Sequence, residues 1–168
     1  MYEIGDMILY GHEGICEIKN IVTRKIKNTG KQYYQLSTLD NHITIYVQID
    51  NQYCLSKMQK ILSKNNIYKL IKTMPDNEKI WIHDKNIRKQ KYNNIINCGN
   101  HEQLVKLIKT LYLNKLEQEN AGKKFHVQDQ YLLKTAEKIL YDEFSITLDL
   151  KPEQILPFIL NTIEIKEK

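Results

Sequence analysis

At 168 residues, with 25 Lys and Arg against 20 Asp and Glu, the chain carries a formal charge of +5 and is long enough to bury one core or two small ones. No apolar run approaches the roughly 20 residues that span a bilayer, and the first residues lack the basic-then-apolar pattern of an export signal, so a soluble cytoplasmic protein without a membrane partner is expected. Cys16, Cys54 and Cys98 are far apart, with no Cys-x-x-Cys pair and no histidine at zinc spacing, and the five histidines are scattered, which reads as reduced thiols and no bound metal.

The opening, Tyr2 to Ile18, writes two short strands around a turn framed by Gly11 and Gly14. Glycine permits backbone angles that other residues resist, and the alternation at Ile8 and Tyr10 buries one face. Strand-like alternation continues through Ile15, Ile18, Ile21 and Val22, then from Lys31 to Leu39 and from Ile43 to Ile49. Turns are expected at Asn28-Thr29-Gly30 and Asp40-Asn41-His42, because Asn, Asp and Gly tolerate left-handed geometry. Gln59 to Leu62 supplies a last strand, giving a bent five-stranded sheet over residues 1–62.

After Ser63, a plausible N-cap, the apolar period moves from two toward 3.6, with Ile67, Leu70, Ile71 and Met74 on one stripe. Pro75 ends that helix, and Asp76-Asn77-Glu78-Lys79 links it to Ile80-Trp81-Ile82. A second helix is predicted from Asp84 to Asn97, buried through Ile87, Tyr92, Ile95 and Ile96 and halted by Gly99. A third runs from His101 to Glu119 on Leu104, Leu107, Ile108, Leu111 and Leu116, broken at Asn120-Ala121-Gly122. A fourth, Val127 to Phe144, buries Leu132, Leu133, Ala136, Ile139, Leu140 and Phe144, with Asp129 suited to the dipole at its start. Pro152 begins a last helix that Pro157 bends or delays. The expectation is an α+β chain: a small barrel over 1–62, then an all-α domain of about five helices over 63–168.

Charge is uneven along this plan. From Lys85 to Lys115 there are seven basic residues (Lys85, Arg88, Lys89, Lys91, Lys106, Lys109, Lys115) and one acid, Glu102, a balance that favours a polyanion. Lysine richness by itself reflects the abundance of Lys, Asn, Ile and Tyr expected from an AT-rich genome; its placement is more informative. The face Lys85, Arg88, Lys89, Lys91 is either a solvated helix face or a phosphate-binding one. Trp81, the single tryptophan, either anchors the core beside the link or stacks on a distorted DNA step. Tyr10, Tyr33, Tyr34 and Tyr46 stand at strand spacing, where aromatics form core more often than a ligand cage.

No phosphate-binding glycine loop, nucleophile elbow, paired-histidine helix or carboxylate-rich metal motif is present, so no enzyme, no cofactor and no small-molecule substrate is expected. His12-Glu13 on the first turn is the nearest approach to catalytic chemistry. Two rival readings stay open: a barrel-plus-helix RNA-binding or translation-associated protein, and a small nuclease using His12 and Glu13.

In order and spacing, the residues resemble the CarD family of bacterial transcription regulators, whose first domain also occurs in the transcription-repair coupling factor. The resemblance rests on Gly5-Asp6, Leu9-Tyr10 and His12-x-Gly14, then Tyr33-Tyr34-x-Leu36, Ile43-Thr44-Ile45-x-Val47 and Asp50-Asn51. The helical half adds Gly99, Leu111, Asp129, Leu132-Leu133, Ala136, Ile139-Leu140 and Glu143-Phe144. It implies a Tudor-like barrel that binds the β subunit of RNA polymerase through Arg24, Lys25, Ile45 and Tyr46. It also implies a helical domain that contacts promoter DNA near the upstream edge of the melted bubble and modulates open-complex stability, a role for which the basic face and the lone tryptophan offer Trp81, Lys85, Arg88, Lys89 and Lys91. Two departures stand out: Tyr46 replaces an arginine of some members, and Lys85 occupies the position of the family's wedging tryptophan, four residues after Trp81.

Overall fold

The computed structural model of the protein describes residues 1–27, 29–76 and 78–164. The chain divides into two compact units, one of Met1–Ile61 with Asn97–Gly99, the other built from the rest of the described chain from Leu62 onward.

The first unit is a five-stranded antiparallel sheet of β1 (Met7–Tyr10), β2 (Ile15–Ile26), β3 (Thr29–Thr38), β4 (Thr44–Gln48) and β5 (Met58–Lys60), ordered β4-β3-β2-β1-β5. With the helices that follow, this makes the chain α+β. The sheet is consistent with a barrel, and β4 and β5 are its edges among the described residues. A single-turn helix, α1 (Gln52–Leu55), connects those edges and is capped by the Asn51 side chain, which accepts from the Cys54 amide. The first turn needs its glycines: Gly11 and Gly14 have φ of +49° and +74°, and the Gly14 carbonyl accepts from Tyr10 N at 2.9 Å.

Period two sets the core of this unit. Tyr34, Leu36 and Thr38 are buried on β3, and the cluster continues through Ile8, Cys16, Ile18, Val47 and Met58. The Tyr2 ring meets Tyr34 edge-on at 6.0 Å, and its hydroxyl donates to the Met58 carbonyl. A bulge between Ile18 and Asn20 interrupts the β2–β3 ladder. Beyond it, β2 and β3 run on as an exposed hairpin in which Arg24 pairs Lys31 and Ile26 pairs Thr29. The first expected hairpin turn therefore falls earlier than Asn28-Thr29-Gly30, since Thr29 and Gly30 belong to β3; Asn28 itself lies outside the described residues. At the second turn the left-handed residue is His42, φ +53°.

The helical unit contains α2 (Lys64–Thr73), α3 (Lys85–Cys98, its last residues counted with the first unit), α4 (His101–Asn120), α5 (Val127–Leu148) and α6 (Pro152–Glu164). Ser63 caps α2 by accepting from Asn66 N at 3.3 Å, and a 3-10 turn over Met74–Asp76 carries Pro75. Asn77, placed in the polar link by the sequence, lies outside the described residues. Pro157 lies within a continuous α6, and α5 runs four residues past Phe144 to a left-handed Asp149, φ +55°.

The core of this unit joins Ile67, Leu70, Ile71, Val105, Leu140, Phe144, Ile155 and Ile159. Fully buried Glu143 ties the segment before α2 to α4 and α5: it accepts from Leu62 N at 2.6 Å and both its oxygens lie within 2.9 Å of His101 Nε2. Thr147 Oγ1 donates to the Leu62 carbonyl from the same helix.

Two apolar expectations are corrected. Ile87 is 47 % exposed and Leu116 37 %, whereas Arg88 is buried on the stripe Arg88, Tyr92, Ile96. The i, i+4, i+8 spacing decides it, because Ile87 is turned about 100° off that stripe. Ile96→Ala is expected to lower unfolding free energy by about 2–5 kcal/mol and Ile87→Ala by less than about 0.5 kcal/mol, read from denaturant melts. Burial pushes the Cys16 thiol up to about 12, while Cys98 is exposed. Thiolates alkylate and thiols do not, so iodoacetamide at pH 8 should label Cys98 in the native protein and Cys16 only after unfolding, as peptide mapping will show.

Candidate functional site

The four residues expected to bind polymerase lie on two sides of the sheet. In β2–β3–β4 register, Val22, Arg24, Tyr33, Gln35 and Tyr46 lie on the outer side of the sheet, since Val22 pairs Tyr33 and Gln35 pairs Tyr46. Arg24 Cζ sits 3.6 Å from the centroid of the Tyr46 ring, a cation–π contact worth roughly 0.5–1 kcal/mol at an exposed site. Lys25 and Ile45 are one residue out of phase and fall on the other side. Ile45 packs against the core and Lys25 leaves the exposed hairpin on that side, apart from Arg24 and Tyr46. Lys31, opposite Arg24, joins the outer face and was not singled out from the sequence. The four tyrosines form no cage: Tyr34 is buried in the core while Tyr46 lies outside under Arg24.

In the helical unit the site is organised by a buried ion pair. Arg88 and Asp129, 4 % and 3 % exposed, meet through two parallel hydrogen bonds: Nε donates to Oδ1 at 2.9 Å and Nη2 to Oδ2 at 2.8 Å. Nη1 of Arg88 donates to the carbonyls of Ile82 and His83, at 2.8 and 3.1 Å. The same strap is held upstream, where Ile80 N donates to Thr110 Oγ1 at 3.0 Å and its carbonyl accepts from the Tyr92 hydroxyl at 2.8 Å. Burial pushes the Tyr92 phenol up to about 12, so it remains a donor. Asp84 then caps α3, accepting from the amides of Asn86 and Ile87.

Trp81 is half-buried on this strap, with Arg88 Cζ 4.4 Å from its ring centroid. The ring is anchored on Arg88, and part of it stays accessible. Arg88 is corrected from a solvent-facing cation to the support beneath the ring, because its donors are committed to Asp129 and two carbonyls. The remaining lysines divide as well. Lys85 and Lys89, i and i+4 on α3, share one side, whereas Lys91 stands two residues from Lys89 and so roughly 160° around the helix; all three are exposed. Asp129, read from the sequence as a dipole partner, is the residue whose role was missed. The signal was available in the stripe spacing that places a charge at position 88 inside.

His12 and Glu13 occupy an exposed turn. Among the described residues, no three His, Cys, Asp or Glu side chains gather where they could hold a metal ion, and no helix is long and apolar enough to cross a membrane.

Residues 2–62 match the family model of the CarD-like/TRCF RID domain. The sheet unit is a CarD-like RNA polymerase-interacting domain. This gives the chain a transcription-related role through polymerase. No curated protein sequence matches the chain. Within the RID domain the outer face carries the Arg24–Tyr46 stack, and β4, which carries Tyr46, is an edge strand among the described residues.

Removing one member of the buried pair strands the other's charge. Asp129→Ala and Arg88→Ala are each expected to cost about 3–5 kcal/mol, measured by denaturant unfolding, while Arg88→Met combined with Asp129→Leu should cost markedly less than either alone. Arg88→Lys should not rescue, since a lysine cannot reproduce the two-pronged contact and the carbonyl bonds together.

Proposed function

We propose that the protein is a cytoplasmic bacterial transcription regulator of the CarD type that acts by binding, with no chemical step. Its RID domain docks on the β subunit of RNA polymerase through the outer face around Arg24, Tyr46 and the β4 edge. Its helical unit holds promoter DNA near the upstream edge of the bubble and thereby modulates open-complex stability. The observation that carries this reading is the RID match over 2–62 in a chain whose separate helical unit presents an anchored, partly accessible tryptophan next to Lys85.

The physical division of labour follows from the charges. Lys85 and Lys89 are suited to phosphate contacts, which give salt-dependent, sequence-independent affinity. Trp81 supplies an aromatic surface against a deformed base step, and because Arg88 already fixes the ring, little side-chain entropy is lost when it engages. Each contact set is weak alone. Tethering both to one complex replaces intrinsic affinity by effective concentration, so useful occupancy requires polymerase.

Arg24→Glu reverses the charge over Tyr46 and is expected to reduce co-purification with a β-subunit fragment while leaving thermal melting unchanged; full recovery would remove Arg24 from the interface. Lys85→Ala with Lys89→Ala should shorten open-complex lifetime and lower the salt slope of DNA binding by about 2, with Lys91→Ala changing the lifetime less. A preference for structured RNA over forked promoter DNA, with no polymerase recovered, would overturn the reading in favour of an RNA-binding protein.

A further inference from the structure

We propose that the helical unit also binds a free nucleoside phosphate, in a cleft beside Trp81. The cleft has a volume of about 550 Å³ and is lined wholly by residues of this unit. That size falls within the roughly 300–1,000 Å³ typical of small-molecule sites.

Three chemistries converge there. The first is aromatic: the Trp81 ring lines the cleft and is held in place by Arg88 beneath it, so a flat ligand meets a surface that does not have to be ordered first. The second is cationic. Arg88 is neutralised by Asp129, and Lys79 is paired with Glu117 at 3.1 Å. Lys85 and Lys124 also line the cleft, exposed and without an ion-pair partner among the described residues, so the local excess is positive. The third is amide hydrogen bonding. Asn114 and Gln118, four residues apart on α4, line the same cleft and offer both donors and acceptors.

An inorganic anion would use only the lysines, and a neutral aromatic compound only the ring. A nucleoside phosphate uses all three: base on Trp81, base edge on the amides, phosphate on Lys85 and Lys124. The inference does not rest on the promoter-DNA reading. Lys89 belongs to that reading alone and Lys124 to this one alone, so the two can fail separately.

Because Trp81 is the single tryptophan, its fluorescence reports on the cleft directly. The full chain would be titrated with adenosine and guanosine 5′-diphosphates, with pyrophosphate and the two nucleosides as partial ligands, and heats measured in parallel by calorimetry. Saturable quenching and binding heat are expected for at least one diphosphate. Affinity should fall about tenfold or more in Lys85→Glu with Lys124→Glu, as loss of charge-assisted phosphate bonds requires, and hold in Lys89→Ala. Circular dichroism establishes that each variant is folded. If the double variant misfolds, Asn114→Ala with Gln118→Ala tests the same cleft through its base-edge contacts and should also weaken the diphosphate. The proposal is overturned if neither diphosphate saturates up to millimolar concentration, if pyrophosphate binds as well as the diphosphates, or if the folded Lys85→Glu, Lys124→Glu variant binds normally. Tenfold tighter binding of a single-stranded oligodeoxynucleotide at the same Lys124-dependent site would also overturn it, because the cleft would then serve a strand.

Discussion

The contact between Arg88 and Asp129 is the constraint on which the helical unit's functional surface depends. Neither side chain reaches solvent to any useful extent, so every lone pair and donor must be answered inside the protein. The carboxylate takes two prongs of the guanidinium, and the third prong is answered by the carbonyls of Ile82 and His83. Those carbonyls belong to the strap that carries Trp81. The pair therefore does more than join α3 to α5: it fixes the path of the backbone and supplies the surface on which the indole rests. Tyr92 and Thr110 hold Ile80 from either side, so an extended stretch with no regular hydrogen bonding of its own has four of its polar groups answered by two helices, α3 and α4.

The RID domain solves a different problem. Its sheet has one face given to core packing, and the period-two rule leaves the other free for contact. Arg24 would be a mobile cation on an exposed hairpin, but the Tyr46 ring holds its guanidinium within 3.6 Å. Tyr46 thus fixes a cation from β2 on the outer face of the sheet. A stacked arginine keeps its hydrogen-bonding edge open to a partner.

Much of this was legible in the residues. Gly11, Gly14, the alternations around Ile8 and Tyr34, the Ser63 cap, Gly99 and the apolar stripe of α5 each satisfy a local rule, and local rules are what a sequence states directly. The RID domain is legible for the same reason. Its fold depends on strand alternation and turn chemistry over some 60 consecutive residues, matching the stretch 2–62. The candidate site was legible only in part: Trp81 and Lys85 come from neighbouring positions in the chain, but Asp129 and Lys124 reach it from about forty residues away.

The α+β order of elements, the basic middle segment and the RID resemblance can be read from the residues alone, because periodicity, turn residues and charge density are properties of contiguous chain. Tertiary structure decided which charges are available. It buried Arg88 and exposed Ile87, set Lys91 on a different side from Lys89, and separated Arg24 and Tyr46 from Lys25 and Ile45. The reason is physical: a side chain's role depends on whether water or a partner answers its polar groups, and that partner is chosen by packing between helices and register between strands, which no single segment encodes.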